Sequence, residues 1–260
     1  MEPLPLTAIL VSRNEADGLA RALPTLDFCA EVIVVDLESD DATAEIAAQA
    51  GAQVLRRPLV ASVERARAGL IEEAAHDWVV LTDPDMEYPE ALRRQVRAAF
   101  PDLAEDVGVV YTPIQYFFGE RLLRGTVWGG VRSQRLLIHR SRNDLRATIY
   151  SEAVMRIGYR AHIIEWSGDN AIAHRWVSGF GDFLAKHRRY VRVTAEDRAA
   201  AGEVSGWRTI VTTPPRRFVE SYLTKRGYRD GVLGLALSVL WAWYCTASEL
   251  ALHRRLRRTQ

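Results

Sequence analysis

Apolar runs of strand length alternate with helical segments over the first 110 residues, and this alternation leaves the chain few possible folds. The runs cover residues 6–12, 31–36, 52–56, 77–82 and 107–112. The segments between them include a predicted helix over 62–75 and another that begins near Pro89. Strands separated by helices of this kind are typical of a parallel sheet with helices on both faces. The sequence therefore predicts an α/β fold.

Acidic residues stand at the carboxyl ends of two predicted strands. Asp36 ends the second strand, and Asp83 and Asp85 flank Pro84 directly after the strand over 77–82. In such sheets, ligands bind beyond the carboxyl ends of the strands. Asp36 is suited to accept hydrogen bonds from a nucleobase or ribose, and the paired carboxylates suit Mg²⁺ or Mn²⁺. The structural alternative is that Asp36 and Asp85 cap the helices that follow them.

The composition is that of a folded protein in a reducing compartment. Apolar residues make up 48% and charged residues 26%, which excludes a disordered or collagen-like chain. The two cysteines, Cys29 and Cys245, cannot form a disulfide framework, and no cysteine–histidine spacing suggests zinc. The first residues carry Glu2 where a signal peptide needs basic residues. We therefore expect a cytoplasmic protein.

Charge is distributed unevenly along the chain. Residues 1–110 carry 9 basic and 21 acidic residues, whereas residues 111–260 carry 25 basic and 12 acidic residues. The basic half suits a polyanionic partner, which could be a phosphorylated acceptor, an anionic membrane surface or nucleic acid. A GC-rich genome would also favour arginine, without any functional cause.

The C-terminal region combines a helix breaker with an uncharged stretch. Pro214 and Pro215 predict a boundary, and residues 231–248 form an uncharged run with basic residues on both sides. As a helix, this run would be about 27 Å long at ~1.5 Å per residue, slightly short of the ~30 Å core of a bilayer. It is interpreted as a helix on or dipping into an anionic membrane, or alternatively as a core or dimer helix.

Three segments occur together in an order and spacing more specific than any one of them. They are residues 9–15 (ILVSRNE), residues 34–36 (VVD) with Ser39, Asp41 and Thr43, and residues 81–85 (LTDPD). With these segments the chain resembles the inverting glycosyltransferases of family 2, which have the GT-A fold. The resemblance implies a GT-A domain over 1–213, with a donor-nucleotide half over 1–110 and an acceptor half over 111–213. Residues 214–260 would be a helical appendage.

The resemblance also implies a set of donor-side residues. The first two segments would hold the nucleotide of a sugar-nucleotide donor, and the Asp-x-Asp would carry a divalent metal, Mg²⁺ or Mn²⁺, on its diphosphate. The implied nucleotide-binding residues are Val11, Ser12, Asn14, Glu15, Asp36, Ser39 and Asp83. The implied metal ligands are Asp83, Asp85 and His174. Without the resemblance, Asn14-Glu15 is a helix-start signal, and His174 beside Trp176 is typical of a packed histidine.

The second half is similar to the branch that contains the lipopolysaccharide-core β-glucosyltransferases. The matching residues are Gly129-Gly130, Arg135-Leu136, Ser151-Glu152, Ala173-His174, Lys186 with Tyr190, and residues 228–231. This similarity implies that Glu152 is the general base and that Arg135, Lys186 and Tyr190 contact phosphate or acceptor. The chain departs from the pattern at Ser151, where the family has histidine, and at Met86, which separates Asp85 from Glu87. Glu152 could otherwise be a surface residue, and the basic residues over 186–192 could be a solvated face.

The resulting hypothesis is a metal-dependent inverting hexosyltransferase at the inner face of the cell membrane. It would use a UDP-sugar and a cell-surface glycan or lipopolysaccharide-type acceptor. A homodimer is left open, and nucleic acid is not expected as a partner. The first alternative is the same donor chemistry on another polyanion, such as modified DNA or a phosphorylated small molecule. The second alternative is a catalytically silent, membrane-associated partner protein.

Overall fold

The computed structural model describes residues 2–60, 66–67, 69–148 and 151–258, without the side chains of 145–148, 151–152 and 258. The chain divides into two compact units. The first contains Met1–Ile114 and Val131–His174, and the second contains Gln115–Gly130 and Arg175–Gln260. This division does not coincide with the predicted boundary at residues 213–214.

Twelve strands and seven α-helices are assigned in the described residues. The strands are β1 (Leu4–Ser12), β2 (Cys29–Asp36), β3 (Gln53–Arg56), β4 (Trp78–Thr82), β5 (Met86–Glu87), β6 (Val107–Phe118), β7 (Arg121–Leu122), β8 (Arg132–His139), β9 (Asn143–Thr148), β10 (Ser151–Met155), β11 (Arg160–Ile163) and β12 (Ile172–Val177). The helices are α1 (Ala16–Ala22), α2 (Thr43–Gln49), α3 (Leu70–Glu73), α4 (Glu90–Ala99), α5 (Phe180–Ala200), α6 (Trp207–Val219) and α7 (Gly231–Arg258).

The main sheet has a parallel half and an antiparallel half. Its strand order is β3-β2-β1-β4-β8-β6-β12-β5, with β7 and β11 also paired to β6. Strands β1 to β4 are parallel, as the sequence predicts. The antiparallel pairs β4–β8, β6–β8 and β12–β5 come from the later part of the chain, where short strands gave no clear pattern. Strands β9 and β10 form a separate hairpin.

The core of the first unit lies around the parallel strands. Residues Ile9, Val35 and Val79 are buried on three neighbouring strands and pack with Leu70 of α3. Gly69, just before α3, has a φ of +83°, which is a left-handed conformation that no α-helix contains. The predicted continuous helix over 62–75 is therefore wrong at this point.

The second unit is built from α5, α6 and α7 around an aromatic core. Trp176, Phe183 and Leu237 are buried in it, and the Trp128 ring stacks on Trp176 at a centroid distance of 4.8 Å. Helix α6 continues through Pro214 and Pro215, so the predicted break is wrong. The helix survives the missing N–H groups because tertiary packing outweighs local propensity: α6 packs against α7 with its inner face buried.

Helix α7 is longer than the uncharged run suggested. By length and composition alone, it is the one helix in the described part of the chain that could cross a membrane. One of its faces packs against α5 and α6. Glu249 on α7 forms an ion pair with Arg198 of α5 at 3.0 Å and accepts a hydrogen bond from Ser205 at 2.7 Å. In this unit α7 is therefore a packed helix with a partly exposed outer face.

Candidate functional site

The carboxyl ends of β1, β2 and β4 lie side by side at one edge of the sheet. Ser12 and Asp36 are opposite each other in the register of β1 and β2, and Leu10 is opposite Thr82 of β4. Ser12, Asp36 and Val11 are almost completely buried. The structure thus brings together the residues at which the sequence predicts nucleotide binding.

The loops after β1 and β2 are held together by hydrogen bonds. Asn14, with a φ of +54°, donates its backbone N–H to Ser39 Oγ at 3.0 Å. Its side-chain oxygen accepts the N–H of Asp40 at 2.8 Å. The N–H of Glu15 donates to Thr43 Oγ1 at 2.9 Å. These contacts give Asn14, Glu15 and Ser39 a role in shaping this edge of the sheet.

Asp41 is the charged member of this loop network. Its carboxylate accepts hydrogen bonds from the Thr43 hydroxyl and from the backbone N–H groups of Thr43 and Ala16. The hydrogen bond from the Thr43 hydroxyl is the main cause of a lowered pKa at Asp41, because it favours the ionised carboxylate. Asp41 and Thr43 were part of the sequence pattern, but their cross-linking role becomes visible only in the structure.

Asp83, Asp85 and His174 form a compact set of metal-type ligands. One ligand atom from each lies within 4.8 Å of the others, and His174 Nε2 is 3.1 Å from Asp85 Oδ1. Asp83 and Asp85 follow β4 in a turn closed by the Met86 N–H donating to the Asp83 carbonyl at 3.1 Å. Antiparallel pairing of β12 with β5 places His174 opposite Met86. Strand pairing therefore brings the histidine to the Asp-x-Asp turn.

This ligand set fits a divalent cation. The side chains of Asp85 and His174 are only 16% and 12% exposed, so the contact is largely shielded from water. Carboxylate oxygens suit Mg²⁺ and Mn²⁺, and an imidazole nitrogen shifts the preference toward a transition metal. Among the predicted cations, Mn²⁺ fits this chemistry better than Mg²⁺.

Arg67 is a site residue that the sequence analysis missed. Its side chain is 7% exposed and forms an ion pair with Asp83 Oδ1 at 2.6 Å. It also donates to the backbone carbonyl of Thr82, the last residue of β4. With these two contacts Arg67 fixes the orientation of the Asp83 side chain at the end of β4. No sequence motif marks Arg67, because it lies in a segment predicted only as a helix with an apolar stripe.

The predicted acceptor residues in the first unit lie on β8 and β10. Glu152 belongs to β10, but its side chain lies outside the described residues. Arg135 of β8 donates to the carbonyl of Ala153 at 2.5 Å, so it supports the strand that carries Glu152. A contact of Arg135 with phosphate stays a prediction.

Lys186 and Tyr190 belong to the second unit. Lys186 Nζ donates to the Trp176 carbonyl at 2.8 Å, and Tyr190 packs edge-on against the His187 ring. His187 itself is buried and stacks on Phe183 at a centroid distance of 3.8 Å, and its burial lowers its pKa. The residues 186–192 are therefore not a uniform solvated face, because one of them is part of the core.

The motif at residues 228–231 is structural in this unit. Asp230 is buried, and its carboxylate accepts the N–H groups of Arg124 at 2.9 Å and Gly125 at 2.7 Å. Gly129 lies so close to Gly125 that a Cβ would be 1.8 Å from the Gly125 oxygen. These residues fix the segment after β7.

Comparison with known proteins gives consistent matches. The family description Glycosyl transferase family 2 matches residues 7–163. The lipopolysaccharide core biosynthesis glycosyltransferase LpsC of Rhizobium meliloti (strain 1021) is 24% identical over 263 residues, covering 97% of this chain and 93% of LpsC. An uncharacterized glycosyltransferase of Rickettsia felis is 32% identical over 107 residues, and the match spans 41% of this chain but only 38% of that protein.

Among the solved structures, a mannosyltransferase matches nearly the whole chain. It is the mannosyltransferase PcManGT from Pyrobaculum calidifontis in complex with GDP-Man and Mn²⁺. The two proteins are 15% identical with a TM-score of 0.56, and the match covers 97% of this chain and 89% of that one. At this identity, the likeness concerns the fold alone.

Proposed function

Because the chain belongs to glycosyl transferase family 2 and has the GT-A fold, we propose that it transfers a sugar to a lipopolysaccharide-type acceptor. The donor is a nucleotide-diphosphate sugar, and the acceptor group is a hydroxyl of this or another cell-surface glycan. The observation that carries the proposal is the Asp83, Asp85 and His174 cluster at the carboxyl edge of the sheet. The similarity to LpsC along almost the whole chain supports the acceptor class.

The nucleotide is proposed to bind at the edge formed by Ser12 and Asp36. Asp36 supplies acceptor oxygens for N–H or hydroxyl groups of a base or ribose. The resemblance to the lipopolysaccharide-core branch favours UDP, whereas PcManGT is in complex with GDP-Man. A panel of nucleotides therefore belongs in the test.

Asp85 and His174 are the residues that would hold a divalent cation, with Asp83 beside them. When bound, such a cation neutralises negative charge on the diphosphate leaving group. Arg67 acts on the same edge by orienting Asp83 through the 2.6 Å ion pair. The role of Arg67 is therefore one of positioning.

The chemical step is proposed as a single in-line displacement. The acceptor oxygen forms a bond to the anomeric carbon, and the bond from that carbon to the diphosphate oxygen breaks, which inverts the anomeric configuration. Glu152 takes the proton of the acceptor hydroxyl, since a hydroxyl group is a weak nucleophile until its proton is removed. Arg135 holds β10, the strand of Glu152, through the Ala153 carbonyl.

The protein is proposed to work in the cytoplasm at the inner face of the cell membrane, where a lipid-linked acceptor is accessible. The excess of basic residues in the second half of the chain supports an anionic partner there.

The test of the metal and donor assignment is the Asp85→Asn variant in a thermal-shift panel. UDP-, GDP-, CMP- and dTDP-sugars are added with and without Mn²⁺. A donor at 100 times its Kd should stabilise the wild-type protein by about 2.7 kcal/mol. Asp85→Asn should lose the Mn²⁺-dependent part of the donor-induced thermal shift. Without ligand, it should keep the wild-type melting temperature. The exposed Asp102→Asn is the matched control. Equal Mn²⁺-dependent shifts in Asp85→Asn and wild type would exclude the metal assignment.

A further inference from the structure

Helix α6 has an exposed apolar stripe. Its members, Trp207, Val211, Pro215 and Val219, recur every fourth residue and so share one face of the helix. Three of them are 60%, 68% and 46% exposed, in the order Trp207, Val211 and Val219. The opposite face, with Ile210 and Thr213, is buried. The stripe is thus the outer face of a helix whose inner face is already buried against the rest of the second unit.

The elements that follow α6 also carry exposed apolar side chains. Leu223, in the π-helical turn Glu220–Thr224 after α6, is 54% exposed. Val232, Leu235 and Val239 on the first turns of α7 are 85%, 42% and 52% exposed. These elements are consecutive in the chain and contact one another. Exposed apolar side chains at this density mark an interaction surface.

Basic residues accompany this surface. Residues 204–229 contain six basic residues and one acidic residue. That acidic residue, Glu220, is already paired with Arg217 at 2.7 Å. Arg208 and Arg216 are exposed next to the stripe, and Lys225, Arg226 and Arg229 are exposed beyond it. The second unit as a whole carries 18 basic and 8 acidic residues.

We propose that this docking face, formed by the stripe of α6 with Leu223, Val232, Leu235 and Val239, binds the surface of an anionic phospholipid bilayer. Apolar side chains flanked by arginine and lysine supply both parts of interfacial binding, which are buried apolar area and attraction to anionic headgroups. The biological reason for membrane binding rests on the proposed function. The docking face itself is inferred from the exposure of its apolar side chains and from the basic residues beside them.

A second copy of the chain fits this face less well than lipid does. In a two-fold symmetric dimer the same patch meets itself, so the arginines of one copy would face those of the other. Insertion of α7 across the bilayer is also disfavoured. Its Arg198–Glu249 ion pair and the hydrogen bond from Ser238 to Ser221 at 2.9 Å hold it within the helical unit.

The test is co-sedimentation of the full chain with vesicles. One set is phosphatidylcholine alone, and the other is equal parts of phosphatidylcholine and phosphatidylglycerol. Wild-type protein should bind the anionic vesicles, bind the neutral ones much less, and be released by alkaline carbonate. The double variant Val211→Glu with Leu223→Glu should lose binding by roughly tenfold or more, because it removes apolar area and adds repulsion. Arg208→Glu with Arg216→Glu should weaken binding similarly and reduce its salt dependence.

Controls separate the docking face from general effects. Ile157→Glu changes a fully exposed apolar residue of the first unit, and Arg132→Glu an exposed arginine there, and both should bind like wild type. Unchanged binding by Val211→Glu with Leu223→Glu would overturn the proposal, and so would a wild-type protein that ignores anionic vesicles. Resistance to carbonate extraction would overturn it in favour of a spanning α7. A wild-type dimer that the same double variant dissociates would assign the face to a second copy.

The donor panel distinguishes failure of this inference from failure of the proposed function. The docking variants should keep the wild-type thermal shift with the nucleotide-sugar and Mn²⁺, because their residues lie outside the donor edge. Vesicle binding without any donor shift would leave the docking face in place and reject the enzyme. A thermal shift with the donor but no vesicle binding would support the proposed function and reject the docking face.

Discussion

Each carboxylate at the carboxyl edge of the sheet has a different partner, and the partner indicates its proposed role. Asp83 is paired with the Arg67 guanidinium, Asp85 contacts the His174 imidazole, and Asp36 accepts the N–H of Ser39 at 3.3 Å. The planar guanidinium of an arginine fixes the orientation of a carboxylate, whereas imidazole is a common metal ligand in proteins. This arrangement favours Asp85 over Asp83 as the principal metal ligand.

Replacing Arg67 with methionine should destabilise the protein and weaken donor binding. Breaking a buried ion pair costs ~3–5 kcal/mol, and because the Asp83 side chain is 36% exposed we expect the lower figure of about 1–3 kcal/mol. Urea unfolding measures the stability, and the thermal shift measures donor affinity. Arg94→Met, which breaks an exposed pair with Glu90, is the control and should cost less than ~0.5 kcal/mol. Equal effects of both variants would contradict the positioning role.

Replacing Glu152 with glutamine should lower kcat by about 10²–10⁴-fold and leave the donor Kd nearly unchanged. Glutamine keeps the size of the side chain but cannot accept the acceptor proton. Steady-state transfer measures kcat, and the neighbouring Ser151→Ala should have a much smaller effect. Near-normal turnover by Glu152→Gln would exclude it as the base and direct attention to Asp169 or Glu87.

At the scale of elements, the loops after β1 and β2 behave as one unit because Asp41, Ser39 and Thr43 cross-link them. The lowered pKa of Asp41 means that the folded state favours its ionised form. This contribution to stability is present above the unfolded-state pKa of Asp41 and is lost as the pH falls through the lower, folded-state pKa.

Asp41→Asn should therefore be less stable than wild type at neutral pH, and the difference should shrink under acid conditions. We expect a small effect that is reduced by salt, because Asp41 is exposed to solvent. The difference is measured by comparing the melting temperatures of both proteins at neutral pH and at a pH below the ordinary pKa of an aspartate side chain. Asp40→Asn, at the exposed neighbouring position, is the control. A wild-type–variant difference that stays constant with pH would contradict the assignment.

Two glycines inside helices should respond oppositely to alanine. A Cβ at Gly234 of α7 would lie 1.8 Å from the Gly227 oxygen, whereas nothing lies within 4 Å of a Cβ at Gly181 of α5. Gly234→Ala should cost several kcal/mol or prevent folding of the second unit, since overpacking of one methylene already costs ~1–3 kcal/mol. Gly181→Ala should stabilise by up to about 1 kcal/mol. Similar melting temperatures for the two variants would contradict the close approach of α7 to Gly227.

At the scale of the whole molecule, charge is divided between the two units. The first carries 16 basic and 25 acidic residues, and the second carries 18 basic and 8 acidic residues. The acidic unit contains the proposed metal ligands, and the basic unit contains the docking face. One sign of charge on each unit suits a protein that binds a cation with one and an anionic surface with the other.

Removing residues 231–260 should unfold the second unit. Leu237 of α7 is fully buried against Trp176 and Phe183, so the deletion would expose the aromatic core. Near-ultraviolet circular dichroism and a red shift of tryptophan emission measure this loss. Removal of residues 257–260 alone should leave both signals unchanged. Wild-type spectra for the longer deletion would show that α7 is dispensable for the core. Point variants are therefore the better test of membrane binding.

The sequence by itself was sufficient to predict the parallel half of the main sheet and the acidic residues at its carboxyl edge. The apolar runs that became β1 to β4, the Asp-x-Asp turn and Asp36 at the end of β2 depend on local patterns of hydrophobicity and propensity. Such patterns act over a few residues, so the sequence alone reveals them.

Only the tertiary structure decided which distant residues join this edge and which faces stay exposed. His174, which only the family resemblance implied as a metal ligand, reaches Asp85 through the pairing of β12 with β5. Arg67 reaches Asp83 from a segment without a motif, and α6 continues through two prolines. Each of these results depends on packing between residues far apart in the chain. Local propensity carries no information about such contacts, because the energy that fixes them comes from partners that the sequence does not place side by side.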